Sequence, residues 1–573
     1  MKHARVVLAF ERYPSTSRIE PVLAASRIEG YRGRAKLIVS NEGKIGLFAK
    51  SGGHRVVDIP GCRVMTPTIA RVTAKLREII RTDKAASAIR AFDLREVENP
   101  TPKLLVTFVV ERQSAPPNSE LQRMADALRA SEPAVVGVAA NFREVDAPQV
   151  LGDVTTHLSG ATQAPDAHGR STHLATYGSF VQAHRDQAAC VHDLVLGAIR
   201  KIEKKAPAIL DLYGGSGAIG LALAKGGAVV ELVESFPPAV ERARDAAKSQ
   251  GLRLHGTASD VGRALRDFIG KNRRFDAAVT NPPRRGMSPE ARERLADIAP
   301  AAIVYVSCDP ETLARDLAHL ALRSYVAERL QPVDMMPLTE EVETVATLKR
   351  AAPPPARVVF EDEAIVAVAK EGHETMHGLE ARVRMQNGAS AAVAVMSLAP
   401  TSSGVVLFVR DSAHAEAWRA ALAVETATVS FVAACRGISR EKGLISRHKG
   451  DRGGAARYRR LAIAGGHSIL RAVVSGAGAA TASDTIAKKR LAEIEHPVLG
   501  DPRSCDPRSN RFFEERNALD RPFLHAVRLE VDRPDTGTRL VVTAPLAGDL
   551  RATLERMGGR EVVTKLEEKS SLG

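Results

Sequence analysis

Cysteine is scarce in this chain of 573 residues: Cys62, Cys190, Cys308, Cys435 and Cys505 are its five, and no two form a C-x-x-C pair. That scatter argues against zinc, iron–sulfur and disulfide frameworks, so no structural metal or metal cluster is expected. Aromatic residues make up only 4%, and no run approaches the ~18 unbroken apolar residues of a membrane span. The opening MKHARVVLAFERYPS lacks an apolar segment followed by a small-residue cleavage site, so no signal peptide is expected and the cytoplasm is the expected compartment. Positive charge, by contrast, is plentiful: Lys and Arg number 81 against 67 Asp and Glu, a net +14. This fits a polyanionic partner, since Lys and Arg gain by releasing counterions from phosphates, and it fits charge kept for solubility equally well.

Two breaks divide the chain. ATQAPDAHGRSTHLATYGS (161–179) is small, polar and aperiodic, and AAPPPAR (351–357) stacks three prolines into an extended spacer. The first block, 1–165, mixes strand-like runs (AKLIVS, KIGLFAK, KLLVTFVV) with helical patterns (TPTIARVTAKLREIIR, ELQRMADALRA), an α+β reading. The second, 175–350, alternates strand and helix as a doubly wound parallel α/β sheet does, with strands in AILDLY, AVVELVES, FDAAVTN, AAIVYVS, YVAERLQPV and ETVATLK. The third, 358–565, carries strand signals with few helices, so a β-rich or α+β domain is expected.

In the second block AILDLY runs straight into Gly214, Gly215, Ser216 and Gly217 and then a helical LALAKGG. Glycines there let backbone approach a ligand, and a helix N-terminus favours an anion. Glu234 closes the next strand, where a carboxylate can take both hydroxyls of a ribose, and Asp260 follows the segment after that, placed to face an adenine amine. Both carboxylates also suit the plainer task of capping a helix.

This order of elements resembles the class I methyltransferases that bind S-adenosyl-L-methionine, with Asp211, Tyr213, Gly214, Gly215, Gly217, Glu234 and Asp260 at the cofactor positions. Four further stretches, SFVQAHRDQA (179–188), TNPPRRGMS (280–288), VSCDPETLARDL (306–317) and DMMPLTEEVETVATL (334–348), resemble the uracil-C5 RNA methyltransferase family. GYRGRAKLIVSNEGKIGLFAKSGGHRVVDIPGC (30–62) is similar to that family's RNA-facing domain.

The resemblance implies that Cys308 adds to carbon 6 of uracil and that Glu343 later removes the proton at carbon 5. Glu340 and Glu341 are rival carboxylates; the Asp-Met-Met-Pro-x-Thr spacing favours Glu343. It further implies Gln182 and Asn281 beside the cofactor, Asn281 also on the uracil edge, and Arg284 or Arg285 on phosphate or a carbonyl. Many relatives carry four cysteines for an iron–sulfur cluster, or a small RNA-gripping barrel, near the N-terminus; here only Cys62 stands there, so RNA grip is expected elsewhere.

VVFEDEAIVAVAKEGHETM (358–376), SSGVVLFVRDSAHAEAW (402–418), LAEIEHPVLGD (491–501) and residues 522–550 resemble RluA-type pseudouridine synthases. That family's catalytic aspartate aligns with Ala399, its base-packing tyrosine with Phe431, and its Gly-Arg-Thr-His-Gln-Ile-Arg stretch with 482–488. The resemblance thus implies a domain without isomerase chemistry. Its segment from Arg440 to Arg460, with eight Lys or Arg, suits phosphate, as it would suit a merely solvated loop. The expectation is a monomeric RNA methyltransferase making 5-methyluridine in ribosomal or transfer RNA, without membrane or metal. A non-catalytic RNA-binding scaffold and a methyltransferase with an unusual RNA substrate stay open beside it.

Overall fold

The computed structural model describes residues 1–13, 18–49, 55–98, 100–145, 149–387, 392–445, 456–476 and 483–564. Its central sheet follows the apolar, β-branched runs. The strands are β1 (Ala208–Leu212), β2 (Val229–Glu234), β3 (Leu254–Ala258), β4 (Ala277–Thr280), β5 (Ala302–Ser307), β6 (Tyr325–Val333) and β7 (Glu343–Arg350). They lie in the order 3-2-1-4-5-7-6, parallel except for β7, which runs antiparallel to both β5 and β6. Covered by helices on both faces, β1, β4 and β5 are almost wholly buried, which is why they read as continuous rather than alternating hydrophobic runs.

The N-terminus joins this unit instead of the first block. Strand Arg18–Ile19 pairs in parallel with β6, and the amphipathic helix Lys2–Phe10 buries Val6, Ala9 and Phe10 in the same core as Leu313, Leu317 and Tyr325. The first block proper is a seven-stranded sheet over residues 34–160, with helices Pro67–Thr82 and Asn118–Ser131 on it.

The stretch 161–179, expected to be an aperiodic break, is instead a β-hairpin, Gln163–His168 with Ser171–Thr176. Its polar residues are internal: Asp166 is buried against Arg95 (3.4 Å) and Arg185 (2.8 Å). Buried paired charges look like loop composition in a sequence, because burial of Asp or Arg requires partners that arrive from elsewhere. The proline spacer 351–356 is docked as well, the carbonyls of Pro354 and Pro355 accepting from Arg382 (2.8 and 2.9 Å).

The third unit is built on a ten-stranded sheet reaching from Arg357–Glu361 to Lys442–Ile445. It carries more helix than its sequence signals announce: Met376–Asn387, Ala415–Ala423, Ser483–Glu493, Pro507–Asn517 and Gly548–Arg556. Among the described residues no helix is long and apolar enough to cross a membrane.

A buried charge cluster joins this unit to the central one. Arg292 bridges Asp316 and Asp520 (2.6 Å to the latter), Arg315 lies 2.8 Å from Asp316 and 3.4 Å from Asp520, and Tyr305 donates to Asp316 (2.6 Å). Two arginines face two carboxylates, so each desolvated charge is compensated. Removing one leaves its partners buried and short of donors, a loss of about 3 kcal/mol or more. Arg292→Ala is therefore expected to lower the denaturant midpoint markedly in equilibrium unfolding, whereas breaking the exposed Lys349–Glu328 pair leaves it nearly unchanged.

Candidate active site

The predicted residues gather at the carboxyl ends of the parallel strands, where open α/β sheets bind ligands. β1 ends in Leu212, and Tyr213 (φ 58°) turns the chain into the glycine-rich loop. Gly217 (φ 87°) starts helix Ala218–Lys225 in a left-handed conformation that a side chain would strain. At Gly220 a Cβ would stand 2.7 Å from Asp211 Oδ2, so the helix closes on that carboxylate only as glycine.

Asp211 is buried, and burial pushes its carboxyl up to about 7, with Glu234 adding to the rise. The Gly220 amide is near enough to lower that value somewhat, yet neither Asp211 oxygen completes a hydrogen bond among the described residues. A buried acceptor lining a cavity without a donor is a costly arrangement that a ligand's N–H or O–H relieves. The cavity it lines has a volume of about 860 Å³, and Gln182, Tyr213, Gly214, Gly215, Glu234 and Asn281 line it too. These residues fit S-adenosylmethionine: an unsatisfied acid for its ammonium or hydroxyls, glycines permitting close approach, and room for the whole molecule.

Glu234 has a second task. Its side chain accepts from the amides of Gly215 (3.2 Å) and Phe236 (2.9 Å), tying the glycine turn to the end of β2. Asp260 is placed otherwise than the ligand-facing expectation: it caps helix Val261–Gly270, accepting from the Arg263 amide (3.3 Å), and lies outside the cavity lining. Gly217, Cys308, Glu343, Arg284 and Arg285 are outside that lining as well. Gln182 sits on a segment gripped by the first unit, where Arg34 and Arg95 donate to the Ser179 carbonyl (2.8 and 2.9 Å) and Gly33 to that of Ala183 (2.9 Å).

One step along the sheet lies the thiol. Asn281 follows β4 and donates its amide to Leu212 (3.2 Å), joining the cavity to the β5 side. Ser307 of β5 pairs with Thr344 of β7, so the antiparallel ladder sets Cys308 opposite Glu343. Asp309 then caps helix Pro310–Leu322, accepting from the amides of Glu311 (3.1 Å) and Thr312 (2.9 Å). Burial pushes the Cys308 thiol up to about 12, Glu343 and Asp309 add to the rise, and Arg284 opposes it. Burial likewise lifts the Glu343 carboxyl to about 7, again opposed by Arg284. Of the three candidate carboxylates, Glu343 is the buried one facing the thiol, while Glu341 pairs with Arg284 (2.8 Å).

Sequence reasoning overlooked several groups. Phe236, 57% exposed, and Arg242 line the cavity beside Glu234; an aromatic just past the β2 carboxylate in so aromatic-poor a chain was a usable signal. Asn141, Thr155 and His157 bring a wall from the first unit. Lys2 bonds Asp334 and the carbonyls of Met336 and Glu341 (both 2.7 Å), pinning the segment that leads to Glu343. Nothing local marks that lysine. In the third unit Ala399 donates its amide to the buried Asp484 (3.1 Å), which also accepts from Ser402 (2.6 Å). Phe431 lies in the core, and residues 446–455 of the basic segment lie outside the described residues.

Asp211 yields a pH prediction with a definite sign. Its folded value lies above the usual carboxylate range, so the stability it contributes is present below pH about 4 and is lost as pH rises through about 7. S-adenosylmethionine is expected to raise the melting temperature, and more so above pH 7 than below pH 6. Asp211→Asn should weaken that ligand-induced rise.

Residues 173–303 match the model of the methyltransferase small domain, and 258–351 that of the tRNA (uracil-5-)-methyltransferases. An uncharacterized RNA methyltransferase of Gloeobacter violaceus is 32% identical over 347 residues, covering 58% of this chain and 73% of that protein. Among solved structures, the tRNA (uracil-54, C5)-methyltransferase of Pyrococcus abyssi, in complex with S-adenosyl-L-homocysteine, is 24% identical with a TM-score of 0.48, over 61% of this chain and 83% of that one. Human RNA pseudouridylate synthase domain containing 1 aligns over 37% of this chain and 94% of its own length, with 16% identity and a TM-score of 0.28. The chain belongs to the S-adenosylmethionine-dependent RNA methyltransferases.

Proposed function

We propose that this protein methylates carbon 5 of a uridine in ribosomal or transfer RNA through a covalent adduct on Cys308. The reading rests above all on the β5–β7 register that sets Cys308 opposite Glu343 beside the Asn281 end of the cavity. Carbon 5 of uracil is a weak nucleophile, and addition of the thiolate at carbon 6 turns it into one end of an enolate. Bound S-adenosylmethionine supplies the methyl group as an electrophile on a positively charged sulfur. Carbon 5 then carries both methyl and hydrogen; Glu343 takes the proton, the electron pair restores the 5,6 double bond, and Cys308 leaves as thiolate.

The surroundings suit these tasks. Arg284 opposes the rise of both pKa values, and its side chain is exposed enough to meet phosphate or the uracil carbonyl. Asn281 follows β4 and lines the cavity on the side toward β5, where its side-chain amide suits the uracil edge. The target base has to leave its stack to reach a partly buried thiol, which favours loops and single strands. The third unit, with Ala399 in place of a nucleophilic aspartate, serves as an RNA holder without isomerase activity, the hairpin Lys442–Ile445 with Ala456–Ala464 presenting Arg457 and Arg459.

Unmodified RNA incubated with the protein and methyl-labelled S-adenosylmethionine should yield labelled 5-methyluridine and no pseudouridine by nucleoside mass spectrometry. Cys308→Ala should abolish the label, and Glu343→Gln should slow turnover about 100-fold or more. Because Glu343 works only as carboxylate and Cys308 only as thiolate, turnover is expected to climb steeply with pH up to about 7 and to go on rising, less steeply, above it. Undiminished labelling by Cys308→Ala would overturn the reading.

A further inference from the structure

The third unit reaches into the loops that carry the proposed chemistry. Arg556, the last residue of helix Gly548–Arg556, donates to both carboxylate oxygens of Asp309 (3.0 and 3.3 Å) and to Glu311 (2.7 Å). Asp309 is the residue after Cys308. Arg12 reinforces the joint from the N-terminal segment, pairing with Glu311 (3.3 Å) and with Glu555 of the same helix. The approach is close, since a Cβ on Gly548 would stand 2.4 Å from the Arg12 carbonyl. A second arm holds the neighbouring loop: Arg315, bonded to the Ala518 carbonyl (3.1 Å) and to Asp520 (3.4 Å), donates to the Arg285 carbonyl (2.8 Å).

We infer that the third unit is a working part of the methyltransferase site, and that Arg556 is a positioning residue that neutralises Asp309 so that Cys308 reaches its thiolate. This rests on the proposed role of Cys308. The charged groups around the thiol are Glu343 from β7, Arg284 from the loop after β4, and Asp309 itself; Glu341 lies behind Arg284, and Arg12 and Glu311 behind Asp309. Glu343 and Asp309 both oppose the thiolate, and Arg556, with 22% of its side chain exposed, is the cation in contact with Asp309 among the described residues. Without it the Asp309 carboxylate, one residue from the nucleophile, keeps the capped amides of Glu311 and Thr312 but loses its guanidinium. A thiolate disfavoured by half a pKa unit reacts about threefold more slowly.

The test reads the thiol directly. Alkylation of Cys308 by iodoacetamide, followed across pH by peptide mass spectrometry, should slow about threefold or more in Arg556→Ala, with Arg556→Lys falling between. Arg551→Ala, on the same helix but paired with Glu555, should match the unaltered protein. On RNA, Arg556→Ala should lower kcat with little change in KM. Should Arg556→Ala fail to fold, Asp309→Asn, which keeps a helix-capping side chain, tests the same link: it should speed alkylation. Alkylation unchanged in Arg556→Ala, or in Asp309→Asn, overturns the proposal. No methyl transfer by the unaltered protein would overturn the uracil reading while leaving the thiol result standing.

Discussion

The site depends on one register. β7 enters the central sheet antiparallel between β5 and β6, and the pairing of Ser307 with Thr344 brings Cys308 and Glu343 together from positions 35 residues apart. A slip of a single residue would turn every β7 side chain to the other face of the sheet, forcing Val345 into the packing that Thr344 and Ala346 now fill. That slip is costly because Val342, Val345, Ala346 and Leu348 are all buried, each large one worth about 1.5–3 kcal/mol. The hydrophobic pattern of β7 therefore fixes the geometry of the proposed nucleophile and base.

The electrostatics follow from the same burial. A thiol and a carboxyl placed opposite each other in a low-dielectric pocket both resist ionisation, and Arg284 is the group that offsets this for both. Arg284 is in turn placed by its neighbours: its carbonyl accepts from Thr312 (2.9 Å), its side chain pairs with Glu341, and the next carbonyl is held by Arg315. The first unit grips the Gln182 segment, Lys2 pins the approach to Glu343, and the third unit holds the loops after β4 and β5.

Much of this was legible in the sequence. The central strands were marked by continuous apolar runs, and the glycine turn, the Asn-Pro-Pro loop and Cys308 by strong local patterns. What escaped was non-local. Hairpin 163–176 read as loop because its buried Asp166 and His173 depend on Arg95 and Arg185 from elsewhere in the chain. Asp260 occupied the right place in the order of elements, yet its side chain turns to the helix it begins. Lys2 and Arg556 act across 339 and 247 residues, distances at which no spacing rule operates.

The central claim is a covalent bond between Cys308 and carbon 6 of uracil. RNA carrying 5-fluorouridine tests it most directly, since fluorine at carbon 5 cannot be removed as a proton and elimination of the thiolate is blocked. With S-adenosylmethionine present, the account predicts a protein–RNA species stable to denaturation, with the modified nucleotide mapped by mass spectrometry to Cys308. A bond mapped to another residue, or no stable species on RNA that the protein methylates, would contradict it.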